Sequence, residues 1–319
     1  MSSRAIDASP AYDPEGRICV VIPTLNRPLL LRRCLLSVLQ GERLPEQVIV
    51  CDQSTGQDTR EVVVDLIPQW PILVYMHLPR PHASEARNAG LDAAETELVA
   101  FIDDDCVAHP LWLWSLAQGY AEVSKEQPVS AVAGRVLPLP IPAGPRKAGH
   151  AVSSRVSKIK RYYKRTDDAE SHRGWAPWDI GTGANLLAPR HALSRVGGFD
   201  TQLGPGSTHR AAEDIDLLYR LAAIGTAVYE PAAIVYHPTR DRWGRLSSRL
   251  VYGGGMGAML GRHIVSGDSA ARGLLLLYVR HQFANMTRRG GWGPLEAALT
   301  LAGTLRALAR VWLETRMER

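Results

Sequence analysis

Residues 98–105 read LVAFIDDD. The five apolar side chains from Leu98 to Ile102 are too few for a helix and suit a strand buried on both faces. Three carboxylates, Asp103, Asp104 and Asp105, follow with no spacer. Adjacent carboxylates repel one another and persist only when solvated or shared with a cation. Hard divalent ions such as Mn²⁺ and Mg²⁺ prefer oxygen ligands and bridge to phosphates. Alternate side chains of an extended segment share a face, so Asp103 and Asp105 are expected to chelate together while Asp104 points elsewhere.

Toward the N-terminus the same kind of run recurs at Ile18–Ile22 (ICVVI), Val48–Cys51 (VIVC) and Leu73–Met76. Helical spacing fills the gaps at Leu29–Leu39, Thr59–Leu66 and Ser84–Ala94. Strands alternating with helices predict an α/β fold with a mainly parallel, Rossmann-like sheet flanked by helices. Ligands bind such sheets outside the carboxyl ends of the strands. Thr24-Leu25-Asn26, Asp52 and the three aspartates all follow strand ends, so three polar clusters converge on one rim.

Toward the C-terminus, Ala131–Val136 is a further strand, Pro138–Gly149 a Pro/Gly-rich loop and Arg155–Arg165 a basic stretch. Gly181–Leu187 opens a second block. Helices are predicted over Arg190–Val196, stopping at Gly197-Gly198, and over Ala212–Ile224. Val228–Tyr229 and Ile234–Tyr236 read as two short strands, the second ended by His237-Pro238. From Trp243 the pattern is helical to the end. The chain thus divides into a flexible lead (1–16), an α/β domain (17–240) and a helical C-terminal region (241–319).

The 319 residues are 45% hydrophobic, enough for a sizeable core, and the 22% charged residues argue against global disorder. The net charge of +5 suits an anionic ligand or an acidic membrane surface without demanding either. Four cysteines without C-x-x-C spacing read as buried free thiols. The opening MSSRAIDASPAYDPEGR has no apolar core of signal-peptide length. The longest apolar run, Leu274–Val279, falls far short of the roughly 20 residues of a membrane span. A cytoplasmic location follows, with peripheral contact at the inner face of a membrane left open.

Several motifs, in their order, resemble family 2 glycosyltransferases: IPTLNR at Ile22–Arg27, CDQS at Cys51–Ser54, ARNAG at Ala86–Gly90 and FIDDD at Phe101–Asp105. GTGAN at Gly181–Asn185, VGGFD at Val196–Asp200 and EDID at Glu213–Asp216 continue the series, which covers roughly residues 17–240. The resemblance implies a GT-A fold and inverting transfer from a nucleoside-diphosphate sugar, UDP- or dTDP-linked, to a hydroxyl acceptor. By the same resemblance Asp52 contacts the nucleotide base, Pro23, Thr24 and Asn26 line that pocket, Arg87 lies beside it and Asp104 sits near the ribose. Asp103 and Asp105 carry a divalent Mn²⁺ or Mg²⁺, with His237 as a further ligand in some members. Asp214 is the general base, and Gly183, Asn185 and Glu213 face a saccharide or lipid-linked acceptor. Chemistry requires such a base, because the acceptor hydroxyl loses its proton as it attacks the anomeric carbon. Trp175 and Trp178 suit stacking on a sugar or plain core packing.

A dinucleotide-dependent oxidoreductase is disfavoured, because PTLNRP replaces the glycine fingerprint after the first strand. A sugar-phosphate nucleotidyltransferase is disfavoured as well, because the glycine-rich loop it usually shows after the first strand is absent here. A catalytically inactive nucleotide-sugar-binding protein of the same fold is the alternative, and the intact acidic set argues against it. The basic stretch Arg155, Lys158, Lys160, Arg161, Lys164 and Arg165 reads as a solvated helix or a loop near an anionic acceptor, with no nucleic-acid motif beside it. Near the C-terminus Leu295, Ala298, Leu299, Ala302, Leu305, Leu308 and Trp312 recur at helical spacing. That stripe either docks on the catalytic domain or in a homodimer, or lies on an anionic membrane.

Overall fold

The buried apolar runs become the centre of one sheet. The computed structural model describes residues 16–139, 159–165, 176–239, 242–288 and 292–317. The expected lead therefore lies outside the described residues except for Gly16. β1 (Ile18–Thr24), β2 (Gln47–Asp52), β3 (Leu73–His77) and β4 (Leu98–Ile102) pair in parallel in the order β3-β2-β1-β4. The crossovers are α1 (Pro28–Leu39), α2 (Asp58–Leu66) and α3 (Ala83–Asp92). Every residue of β4 is buried, as a continuous apolar run on a doubly covered strand requires.

The second half of the sheet is mixed. After the two-residue β5 (Val107–Ala108) and α4 (Trp112–Ser124), β6 (Val129–Pro138) and β7 (Arg161–Tyr163) are followed by α5 (Pro177–Ile180). β8 (Asn185–Pro189) then runs antiparallel to both β4 and β6. Its first residue, Asn185, pairs with the last of β4, Ile102, so the glycine loop before β8 lands on the same rim as the aspartates. α6 (Arg190–Arg195) and α7 (Glu213–Leu221) lead to β9 (Thr226–His237), which pairs in parallel with β6.

Two expectations are corrected here. The two short strands read around residues 228–236 are one strand, β9, whose register against β6 shifts between Glu230 and Ile234. Pro231 lacks the N–H a continuous ladder needs, so the hydrophobic pattern breaks without the strand ending. The described part of the basic stretch is not a helix but a short strand with flanking residues. Its β7 pairs with β9, Lys160 bridges Glu122 and Glu230, and Arg165 pairs with Asp268. Arg155 and Lys158 lie outside the described residues.

The helical region consists of α8 (Arg242–Val265), α9 (Ser269–Arg288) and α10 (Gly293–Met317). It shares a core with the sheet domain: Leu203, Ala212 and Tyr219 pack with Met256, Met259, Leu260, Leu274 and Tyr278. Gly253, Gly257 and Gly261 are spaced four apart on α8. A Cβ at Gly253 or Gly257 would collide with the Thr300 or Thr304 carbonyl oxygen of α10, so the two backbones touch. α10 answers with Thr300, Gly303, Thr304 and Ala307 as its buried face. Several of its large apolar residues are consequently turned away, while Val311 joins the core. Leu305 is 64% and Trp312 48% exposed. The expected stripe is thus split: Leu295, Leu305 and Trp312 face outward, whereas Leu299 and Leu308 are half-buried and Leu308 lies against Gly261 of α8.

Candidate active site

The sheet carries its polar residues to the carboxyl rim. Residues 103–106 form a turn closed by the Cys106 N–H on the Asp103 carbonyl at 3.0 Å, not an extended segment. The three aspartates consequently take three different partners. Asp103 Oδ1 accepts from Arg87 Nη2 at 2.7 Å. Asp104 accepts from Thr24 Oγ1 at 2.8 Å and from Arg27 Nη1 at 3.0 Å. Asp105 Oδ1 lies 3.2 Å from His237 Nε2.

The His237–Asp105 contact has a chemical consequence. His237 Nδ1 lies 2.6 Å from the Pro238 carbonyl oxygen, which only accepts, so Nδ1 carries a proton. In the neutral ring Nε2 is then a lone pair facing a carboxylate. Two acceptors at that distance need a proton or a cation between them. Asp105, His237 and Cys106 place ligand atoms within 4.8 Å of one another. Cys106 is completely buried and its thiol is pushed well up by burial, which leaves the O and N donors for a hard ion.

Arg87 is the keystone on the other side. It is buried on α3, bonds Asp103 through Nη2 and reaches Glu213 Oε1 at 3.3 Å through Nη1. Its neighbour Asn88 forms a two-way clamp with the backbone of Phe199, both bonds at 2.8 Å. The ARNAG segment thus ties the aspartate turn to the Glu213–Asp214 pair. Asp214 Oδ2 accepts the Gly183 N–H at 3.0 Å and Oδ1 accepts the Ile215 N–H at 2.8 Å. A Cβ at Gly183 would lie 3.2 Å from Asp214 Cβ, so glycine permits this close approach. Ala212, immediately before α7, holds φ at 74°, a strained value for a residue with a side chain.

Burial raises four acids of this rim. Glu213 is pushed up to about 7, by burial first and Asp214 second, with Arg87 opposing. Asp214 is raised by burial against the Gly183 N–H and Arg87. Burial lifts Asp104 to about 6, opposed by Arg27 and Thr24. Burial also raises Asp105, opposed by His237.

The remaining candidates scatter. Pro23 is half-buried at the end of β1. Asn26, at φ 54°, pins its own loop to the next: its N–H donates to Ser54 Oγ and its Oδ1 accepts from Thr55 N. Asp52 is fully buried and accepts from the Ser54 N–H and the Tyr75 hydroxyl, so a base reaches it only where Tyr75 turns away. Asn185 requires a correction. It is wholly buried, donates to the Arg135 and Ala233 carbonyls and accepts from Trp112 Nε1 at 2.8 Å, which plugs the irregularity between β6 and β9. No acceptor sugar touches a side chain committed in this way. Asp216 is bound by Arg220 and by His263 of α8. Trp178 packs edge-on against Tyr278 at 5.4 Å, and Trp175 lies outside the described residues. Sequence reading passed over Arg27, whose side chain is 52% exposed above Asp104 and Asp105. Its position inside IPTLNR was the available signal.

The profile of glycosyl transferase family 2 matches residues 19–138. A pre-mycofactocin glycosyltransferase of Mycobacterium tuberculosis is 30% identical over 259 residues, covering 80% of this chain and 50% of its own length. The chain thus spans half the length of that relative. The succinoglycan biosynthesis protein ExoM of Rhizobium meliloti is 30% identical over 232 residues, 70% of this chain and 67% of its own. Among solved structures, a mannosyltransferase from Pyrobaculum calidifontis, in complex with GDP-Man and Mn²⁺, aligns with a TM-score of 0.59 at 20% identity. That alignment covers 99% of this chain and 84% of the other, and the fold is accordingly GT-A.

Proposed function

This chain belongs to glycosyl transferase family 2, and from that premise we propose that it moves a sugar from a nucleoside-diphosphate donor to a hydroxyl acceptor with inversion. The observation that carries the proposal is the Arg87 bridge. It sets the aspartate turn and the Glu213–Asp214 pair on one rim, one on each side of a single guanidinium.

Donor and acceptor roles divide along that bridge. The loops bearing Thr24, Asn26 and Asp52 border the nucleotide side, with Arg27 as an open cation for phosphate oxygens. Asp105 and His237, with Asp103 at the edge, would hold Mn²⁺ or Mg²⁺, which neutralises charge on the departing diphosphate. The two facing acceptors of His237 and Asp105 fit such an ion. On the acceptor side, Asp214 takes the proton of the attacking hydroxyl. The Gly183 and Ile215 N–H groups hold its carboxylate in place. Burial raises its proton affinity, which suits a base working near neutral pH. The hydroxyl oxygen then bonds the anomeric carbon from the face opposite the diphosphate, whose bond to that carbon breaks. Arg87 keeps Asp103 and Glu213 paired, so neither is an unmatched buried charge.

A saccharide or lipid-linked acceptor in glycan biosynthesis fits the relatives. Incubation with individual nucleotide sugars and Mn²⁺ tests the reading. Nucleoside diphosphate is released with a matching donor, and EDTA abolishes the release. Full turnover in excess EDTA refutes the metal role, and no donor turnover at all across a broad panel of donors and acceptors refutes the enzyme reading.

A further inference from the structure

The α8–α10 seam of the helical region is lined by small side chains. Met259, Leu260 and Leu274 fill the core beside it, while several large apolar residues of α9 and α10 face outward. On α10 the outward positions include Leu295, Leu305, Trp312 and Leu313. On the neighbouring α9 the exposed positions Arg272, Leu276, Arg280 and Phe283 fall three or four apart, which makes one stripe of alternating cations and apolar groups. Trp243 and Trp292, 67% and 42% exposed, meet edge-on at 6.0 Å near the starts of α8 and α10.

Charge is as unevenly placed as apolar surface. Residues 241–319 hold 12 arginines, no lysine and 5 acidic residues, a net of +7. The whole chain carries +5, which leaves −2 for residues 1–240. Among the described residues the acids are already used: Glu296 binds Arg245 and Arg249, Glu314 binds Arg310, and Asp268, between α8 and α9, binds Arg165. Arg272, Arg280 and Arg306 have no acidic partner among the described residues. Arg316 lies over the Trp312 ring at 3.7 Å.

We propose that the outward faces of α9 and α10 dock on an anionic phospholipid surface. Exposed tryptophan and leucine supply partition into the interfacial layer, and unpaired arginines supply attraction to lipid phosphates. A second copy of the chain is a poorer occupant, because pairing the face with itself sets these unmatched arginines against one another. Among the described residues no helix is long and apolar enough to cross a membrane, so the contact is along the surface. The inference stands independently of the sugar-transfer chemistry.

Flotation of the full chain with phosphatidylcholine vesicles, with and without phosphatidylglycerol, tests it. The protein floats with the anionic vesicles and stays behind with neutral ones. Arg272→Gln, Arg280→Gln and Arg306→Gln together weaken anionic binding by about a hundredfold, at about fivefold per cation. Leu305→Ser with Trp312→Ser weakens it as well, while circular dichroism and the melting midpoint stay at wild-type values because all five positions are exposed. Absent flotation, or equal flotation with both vesicle types, overturns the proposal. A concentration-dependent dimer in light scattering that Leu305→Ser with Trp312→Ser abolishes, without vesicle binding by the wild type, assigns the face to a second copy instead.

Discussion

The sheet domain and the helical region solve burial in opposite ways. In the sheet domain large apolar residues such as Phe101, Trp112 and Phe199 fill the interior, and polar residues gather where strands end. In the helical region glycine, threonine and alanine form the α8–α10 seam, and leucine and tryptophan face outward. Hydrophobicity locates the core of the first, and of the second only the part built on Met256, Met259, Leu260 and Leu274, not the α8–α10 seam. Close backbone approach rewards small side chains, and the released large ones become surface with a different task.

Substitutions at the rim should produce the largest effects and mark the sheet domain as the chemical half. Asp214→Asn keeps shape but removes the base, so transfer falls by roughly two to four decades while nucleotide and Mn²⁺ titrate as in wild type. Asp105→Asn should lose binding and turnover together, on the order of 3 kcal/mol of transition-state stabilisation. Normal binding with near wild-type turnover in Asp214→Asn would remove the base assignment and pass it to Glu213.

The seam gives the next effect. Gly257→Ala sets a methyl group against the Thr304 backbone and should cost about 1 to 3 kcal/mol in chemical denaturation. Leu305→Ser, a far greater loss of apolar area, should change stability by no more than about 0.5 kcal/mol. The reverse ranking would mean that the outward stripe is packed after all.

Glu213 tests electrostatics at the junction of rim and α7. Its folded pKa of about 7 exceeds the usual 4.5, so the folded state holds the proton more tightly. The stability this contributes is complete below about pH 4.5 and is lost as pH rises through 7. Glu213→Gln, always neutral, should match wild type in acid and exceed it by on the order of 1 to 2 kcal/mol above pH 7. Unfolding titrations at both ends of that window decide it. A further effect concerns Ala212, at φ 74°. Ala212→Gly relieves the strain and should raise stability by about 1 kcal/mol, measured by the same denaturation.

Much of the fold could be read because period and punctuation are local. The buried runs ICVVI, VIVC and LVAFI appear as β1, β2 and β4, and the carboxylates follow β4 directly. The four cysteines are free and buried, in line with their spacing. The break at Pro231 was misread because a missing N–H looks the same in sequence whether a strand ends or bulges. Asn185 was misassigned for a related reason: a motif asparagine carries no mark of whether its amide meets a ligand or two carbonyls of a neighbouring strand.

Sequence alone determined which residues are available for chemistry and that a sheet would bring them to one edge, because strand runs and the residues that end them are neighbours along the chain. Tertiary structure decided how they are divided. The turn at 103–106 sends Asp103 to Arg87, Asp104 to Thr24 and Asp105 to His237, partners that lie 16, 80 and 132 positions away. It also decided that α10 meets α8 through Thr300, Gly303 and Thr304. Helical periodicity shows that a helix has two faces. Which one is buried depends on the shape of the partner surface, and here that partner is a row of glycines on another helix.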